Sequence, residues 1–181
     1  MKPLWTWVAH MFFFIEEKDM KEVRLVSMDS STTSTGIALW INGELKKYKT
    51  LVPKTKLPAE KRIMEMAKLI NETLQEWKPI ILYAETPQGK ANIKLSRMLG
   101  QVLGIIIGWC SMNNCEFNEV NPSWWRKWNY WDQGKLERDE LKELSKQKAK
   151  ELYGIDCGDD LSDAIHIGKA AFNYFDNLEL S

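Results

Sequence analysis

Histidine is almost absent from this chain: His10 and His166 are the only two in 181 residues. A catalytic triad built on imidazole is therefore poorly supported. Cysteine is scarce as well. Cys110, Cys115 and Cys157 are odd in number and lack CxxC spacing. That pattern indicates neither a disulfide framework nor a zinc site, and it fits a reducing cytoplasm. Net charge is missing too, since 25 Lys plus Arg balance 25 Asp plus Glu. Overall charge thus predicts no polyanionic partner. There are no repeats and no low-complexity segment. The apolar run near the start, in residues 4–15, is too short to span a bilayer, and no small-residue cleavage site follows it. Residues 1–22 fit the rest least well and read as an N-terminal extension or loosely attached tail. Residues 23–181 read as one domain, long enough to bury a substantial core.

The charge that is present is unevenly spread. Residues 45–68 hold eight basic and two acidic side chains; residues 86–101 hold Lys90, Lys94 and Arg97 and no acid. Residues 155–181 reverse the sign, with six acids and one lysine. A metal site beside a phosphate-binding face needs such a separation, although a solvated charged surface produces the same pattern.

The stretch Val-Ser-Met-Asp-Ser-Ser-Thr-Thr-Ser-Thr-Gly-Ile-Ala-Leu, residues 26–39, organises the domain. It reads as an apolar strand ending in Asp29, a hydroxyl-rich turn, and a second strand after Gly36. Asn42-Gly43 is a strong hairpin signal and predicts a third strand over residues 44–52. Ile63, Met66, Ala67, Ile70 and Leu74 recur at helical spacing over residues 59–77, and Lys78-Pro79 stops that helix. A buried strand over 80–84 leads to Glu85. A helix over 92–112 carries Gly100, Gly104 and Gly108, a stripe that lets another backbone, sheet or second subunit, come close. A strand over 116–120 and helices over 135–153 and 160–175 complete the pattern. It predicts a mixed α/β fold: three antiparallel strands, then parallel strands, flanked by helices.

Three segments each deliver acids at the edge of an apolar element: Asp29, Glu85, and Asp159, Asp160 and Asp163. Carboxylates buried without partners are costly, so their convergence implies a cation. Two-metal phosphoryl transfer needs such a set, with ions about 3.5–4 Å apart, and hard oxygen donors select Mg²⁺ or Mn²⁺. Asp160 and Asp163, three residues apart, share one side of a first helical turn. Helix capping alone is the competing explanation for Asp159, Asp160 and Asp163.

The opening Asp29 to Gly36, the strand-end acid in Tyr-Ala-Glu-Thr-Pro (83–87) and Asp-Asp-Leu-Ser-Asp-Ala-Ile (159–165) together resemble RuvC-type Holliday junction resolvases of the ribonuclease H-like superfamily, with the closest likeness to the phage-encoded branch. The resemblance covers roughly residues 22–175. It implies a homodimeric, Mg²⁺-dependent endonuclease that nicks four-way or branched DNA symmetrically, in a bacterial or phage-infected host cytoplasm. It implies no membrane and no small-molecule cofactor. The metal-binding acids it implies are Asp29, Glu85, Asp160 and Asp163, with Asp159 outside the metal's immediate ligands. A lysine before the last acidic pair also belongs to the pattern. Lys142 is the best match, with Lys146 and Lys148 competing, and its implied role is at the scissile phosphate.

In residues 121–131 aromatics alternate with Arg126 and Lys127, and a Pro-x-x-Trp-Arg segment again resembles the phage branch. Arg126 and Lys127 suit phosphates, while Trp128, Tyr130 and Trp131 suit exposed base contacts. Trp124 and Trp125 read as packing residues. Lys90, Lys94 and Arg97 follow Glu85 closely enough to reach phosphates nearby. Three other readings compete. The turn after Asp29 also resembles the phosphate loop of sugar kinases and actin-like ATPases, which need two lobes and a longer chain. A non-catalytic junction-binding protein, or a nuclease for flap, fork or RNA–DNA hybrid substrates, fits the same fold.

Overall fold

The computed structural model describes residues 22–54, 56–86, 93–129, 131 and 136–179. The expected tail over 1–22 lies, but for Glu22, outside the described residues, as do Lys90 and Tyr130.

Strand β1 (Arg24–Asp29) is buried through its middle, as its apolar run requires. It pairs antiparallel with β2 (Thr35–Ile41), which pairs antiparallel with β3 (Glu44–Leu51). Asn42 and Gly43 turn the chain between β2 and β3, both at positive φ (49° and 82°). Two successive left-handed residues match the twist of a tight hairpin. Helix α1 (Ala59–Trp77) follows and stops where Lys78 adopts a left-handed conformation ahead of Pro79. Strand β4 (Ile81–Glu85) then lies parallel to β1, and β5 (Glu116–Val120) parallel to β4. Between them runs α2 (Ile93–Met112). The sheet order is β3-β2-β1-β4-β5. This is the mixed sheet that the sequence pattern predicts.

Because strand side chains alternate between faces, the sheet builds two cores. On one face Val26, Met28, Ile37, Leu39, Leu82 and Ala84 pack against Met66, Ile70 and Leu74 of α1 and Val102 and Ile106 of α2. On the other, Leu25, Trp40, Ile81 and Tyr83 pack beneath three further helices. These are α3 (Pro122–Trp128), α4 (Arg138–Tyr153) and α5 (Asp159–Glu179).

Two features depart from the sequence pattern. Helix α3 falls where no helix is predicted; Asn121 caps it by accepting a bond from the Trp124 N–H at 2.8 Å, and Pro122 opens its first turn. The glycine stripe of α2 does not seat that helix on the sheet. Val102, Ile106, Trp109 and Cys110 do so, whereas a methyl group added to Gly100, Gly104 or Gly108 would meet nothing within 4 Å.

Candidate metal and DNA site

Met28 and Ala84 are register partners in the parallel β1–β4 pair, and both point into the α1/α2 core. The next residue of each strand, Asp29 and Glu85, therefore turns to the opposite face, where α5 lies. Thr86 pins the end of β4, donating its backbone N–H (2.7 Å) and its hydroxyl (3.1 Å) to the carbonyl of Val120. Asp29 itself faces Gly36 across the β1–β2 pair.

Gly36 decides how close α5 can come. A Cβ there would stand 1.9 Å from the carbonyl oxygen of Asp160 and 2.6 Å from the nitrogen of Leu161. Only a residue without a side chain lets the first turn of α5 rest on the strand. That contact delivers Asp160 and Asp163 to the end of β1. Gly168 repeats the device deeper in the helix, beneath which lie Trp40 and Ser27.

The electrostatics record the convergence. Burial holds the Asp29 carboxyl well above its ordinary acidity, and Glu85, Asp163 and Asp160 push it further up. Burial likewise raises Glu85 to about 7, with Asp163 adding to the rise; the bond from Trp125 and the cations Arg126 and Arg138 oppose it. Asp163 is raised to about 6, again chiefly by burial, against the bond from Ser145 and the charge of Arg126. Asp160 is also raised by burial, and a bond from Ser34 opposes the rise. Four partly buried carboxylates that resist ionising together are a site wanting positive charge.

Protein donors hold these acids. The indole N–H of Trp125, a fully buried side chain, donates to Glu85 Oε2 at 2.8 Å. The hydroxyl of buried Ser145 donates to Asp163 Oδ1. Among the described residues no three Asp, Glu, His or Cys side chains are drawn into a ready ligand cluster. In kind, however, the donors fit a hard divalent ion: all four are carboxylates, and their shared burial leaves charge to be offset.

Cations surround the acids. Lys142 Nζ lies 2.6 Å from Asp159 Oδ2, and its charge reaches Asp29. Lys146 also approaches Asp159, at 3.6 Å, while Lys148 is occupied with Glu151 at 3.0 Å. Asp159 is thus a partner for lysines at the rim, and Lys142 is the lysine that the structure brings to the acids. Arg126 lies over the Trp125 ring, 4.6 Å from its centroid, and its charge lowers both Glu85 and Asp163. Arg138, in the first turn of α4, acts on Glu85 and Lys142. Lys127 sits 5.4 Å over the Trp128 ring. Lys94 and Arg97 are exposed on the first turns of α2.

Trp128 and Trp131 are not free-standing. Trp128 packs against Tyr174 (5.0 Å between centroids) and Trp124, and Trp131 against His166 (4.6 Å) and Trp125. Both are half-buried, because α3 folds the aromatic segment back onto α5. Trp125, Ser145 and Arg138 are the site residues that sequence reasoning missed. The Asn121-Pro122 helix start was a readable signal for α3, but nothing in the sequence pairs Trp125 with Glu85 across forty positions.

No family model and no curated protein sequence matches the chain. Solved structures do. RuvC of Thermus thermophilus in complex with a Holliday junction substrate is 14% identical with a TM-score of 0.66, over 85% of this chain and 96% of that one. A second Thermus thermophilus RuvC structure gives 15% and 0.65 over the same shares. Ydc2, the yeast mitochondrial Holliday junction resolvase, is 11% identical with a TM-score of 0.56, over 90% of this chain and 85% of that one. These neighbours are bacterial and mitochondrial and do not single out a phage-encoded branch. At such identities the likeness is one of fold, and the fold is that of RuvC within the ribonuclease H-like architecture.

Proposed function

We propose that the protein is a divalent-metal-dependent endonuclease that cuts branched DNA, with the four-way junction as its substrate. The observation that carries this reading is the meeting of Asp29, Glu85, Asp160 and Asp163, from three separate elements, at the carboxyl ends of the central strands β1 and β4. These four carboxylates would hold Mg²⁺ or Mn²⁺. A divalent ion supplies Lewis acidity to a phosphate oxygen and lowers the pKa of water near the scissile bond. The chain's own part is to place and balance charge. Lys142, released from Asp159 by an incoming phosphate, neutralises the phosphoryl group as negative charge builds on it. Arg126 and Arg138 hold the flanking phosphates, and Lys94, Arg97 and Lys127 extend the contact along the backbone. In-line hydrolysis there leaves 5′-phosphate and 3′-hydroxyl ends.

Paired nicks need two sites related by symmetry, and α2 supplies a surface for a second copy. Ile93, Gly100, Gly104, Ile107 and Gly108 share one side of that helix. Ile93 is 82% exposed and Ile107 41% exposed, and the glycines are open. Small residues flanked by apolar ones allow two such helices to pack closely.

Cleavage of a labelled four-way junction in Mg²⁺, against linear duplex and with Asp29→Asn and Asp163→Asn as controls, tests the reading. Symmetric nicks on the junction, lost in both variants, are the expected result. Cutting of flaps or RNA–DNA hybrids but not junctions would keep the site and change the substrate. Tight junction binding without cleavage in Mg²⁺ or Mn²⁺ would overturn the enzymatic reading.

A further inference from the structure

We propose that His166 is a positioning residue that fixes the spacing of Glu85 and Asp163 by bracing the two residues whose side chains hold them. The inference rests on those acids forming the metal site.

His166 lies on α5 three residues after Asp163 and is fully buried. Its Nε2 is 2.9 Å from the carbonyl oxygen of Ser145. A carbonyl only accepts, so Nε2 carries the proton and the ring is fixed in one tautomer. Nδ1 is then a bare acceptor, and it has no hydrogen-bond partner among the described residues. An apolar side chain would fill this space without burying a lone pair. The imidazole therefore calls for an account beyond filling space.

Its contacts give one. The bond to Ser145 anchors the backbone of the same residue whose hydroxyl holds Asp163. The imidazole lies nearly parallel to the Trp125 ring, at 13° and 6.4 Å between centroids, and the indole N–H of Trp125 holds Glu85. Trp131 closes the other approach edge-on at 4.6 Å. The side-chain amide of Asn129 donates to the carbonyls of both His166 (2.8 Å) and Trp125 (2.9 Å), tying α3 to α5 at this level. Glu85 on β4 and Asp163 on α5 are thus held by donors from α3 and α4, and one side chain meets both donor residues, Ser145 at its backbone and Trp125 beside its ring. Groups that orient metal ligands from behind govern affinity nearly as strongly as the ligands themselves.

Two substitutions separate the ring from the bond. His166→Phe keeps a ring against Trp125 and removes the donor to Ser145. His166→Gln keeps an N–H and removes the ring. Mn²⁺ titrated calorimetrically into the full-length, metal-free protein should bind about ten-fold more weakly to the Phe variant and several-fold more weakly to the Gln variant. Junction binding in EDTA should stay unchanged, and junction cleavage should recover at high Mn²⁺. If either variant folds and takes up Mn²⁺ as tightly as the wild type, His166 is a space-filling core residue and the proposal is wrong. If wild-type protein shows no Mn²⁺ uptake that Asp29→Asn removes, the site reading has failed and this proposal fails with it.

Discussion

At the scale of single residues, the site is expensive to build. Glu85 holds its proton up to about pH 7 and Asp163 up to about 6, mainly because burial disfavours their charge. In the unfolded chain such carboxyls ionise near pH 4. Above pH 7 the folded state must therefore carry charges that the unfolded state carries freely. Lowering the pH from 8 to 6.5 protonates Glu85 in the folded protein alone, so the metal-free protein gains stability over that window. His166, held down to about 4 by burial, works the other way: only the unfolded chain protonates it as the pH approaches 6.5, which offsets about 0.4 kcal/mol of that gain. Thermal unfolding in EDTA should show the midpoint rising from pH 8 to 6.5, by an amount corresponding to about 0.5 kcal/mol. Asp29→Asn should raise the midpoint at pH 8 and flatten this dependence, since Asp29 sits deepest in the mutual repulsion. A midpoint that falls over that window would contradict the electrostatic picture. Gly36→Ala tests the geometry instead. Its methyl cannot coexist with the Asp160 backbone as placed, so the helix must shift, at a cost of about 1–3 kcal/mol. Denaturant titration should show that loss, and junction cleavage should fall with it because Asp160 and Asp163 move from Asp29.

At the scale of elements, the acids were legible in the sequence because each sits where an apolar run ends. An acid after Val-Ser-Met or Leu-Tyr-Ala has only the strand's carboxyl end to occupy, and parallel pairing sets those ends side by side. The residues behind them were not legible. Trp125, Ser145 and His166 act through contacts between helices far apart in sequence, and their types alone read as ordinary core. Helix α3 was hidden for a local reason: six of the eleven residues in 121–131 are aromatic or proline, so the segment reads as a binding loop. The α2 glycines taught the opposite lesson. Their spacing predicts close approach, yet the sheet does not use it, and the dimer we propose would seat a second chain there. Gly104→Leu meets open space within one copy and replaces glycine with a better helix former. Its unfolding midpoint should therefore hold or rise while light scattering after gel filtration shows monomer in place of dimer. A dimer unaffected by Gly104→Leu would place the interface elsewhere.

For the whole molecule, zero net charge conceals a division of labour. The two apolar cores fix the carboxyl ends of the central strands β1 and β4, the acids gather there, and cations from α3 and α4 flank them. Asp29, Glu85, Asp160 and Asp163 are proposed to form one divalent-metal site. Metal binding must then displace the protons that the buried carboxyls hold. The most direct measurement is calorimetric titration of Mn²⁺ into metal-free protein at pH 6.5 and 8, in buffers of differing ionisation heat. Saturable uptake with net proton release at pH 6.5, fading at pH 8 and abolished by both Asp29→Asn and Asp163→Asn, is the predicted result. Uptake that survives both substitutions, or that displaces no proton at pH 6.5, would contradict the account.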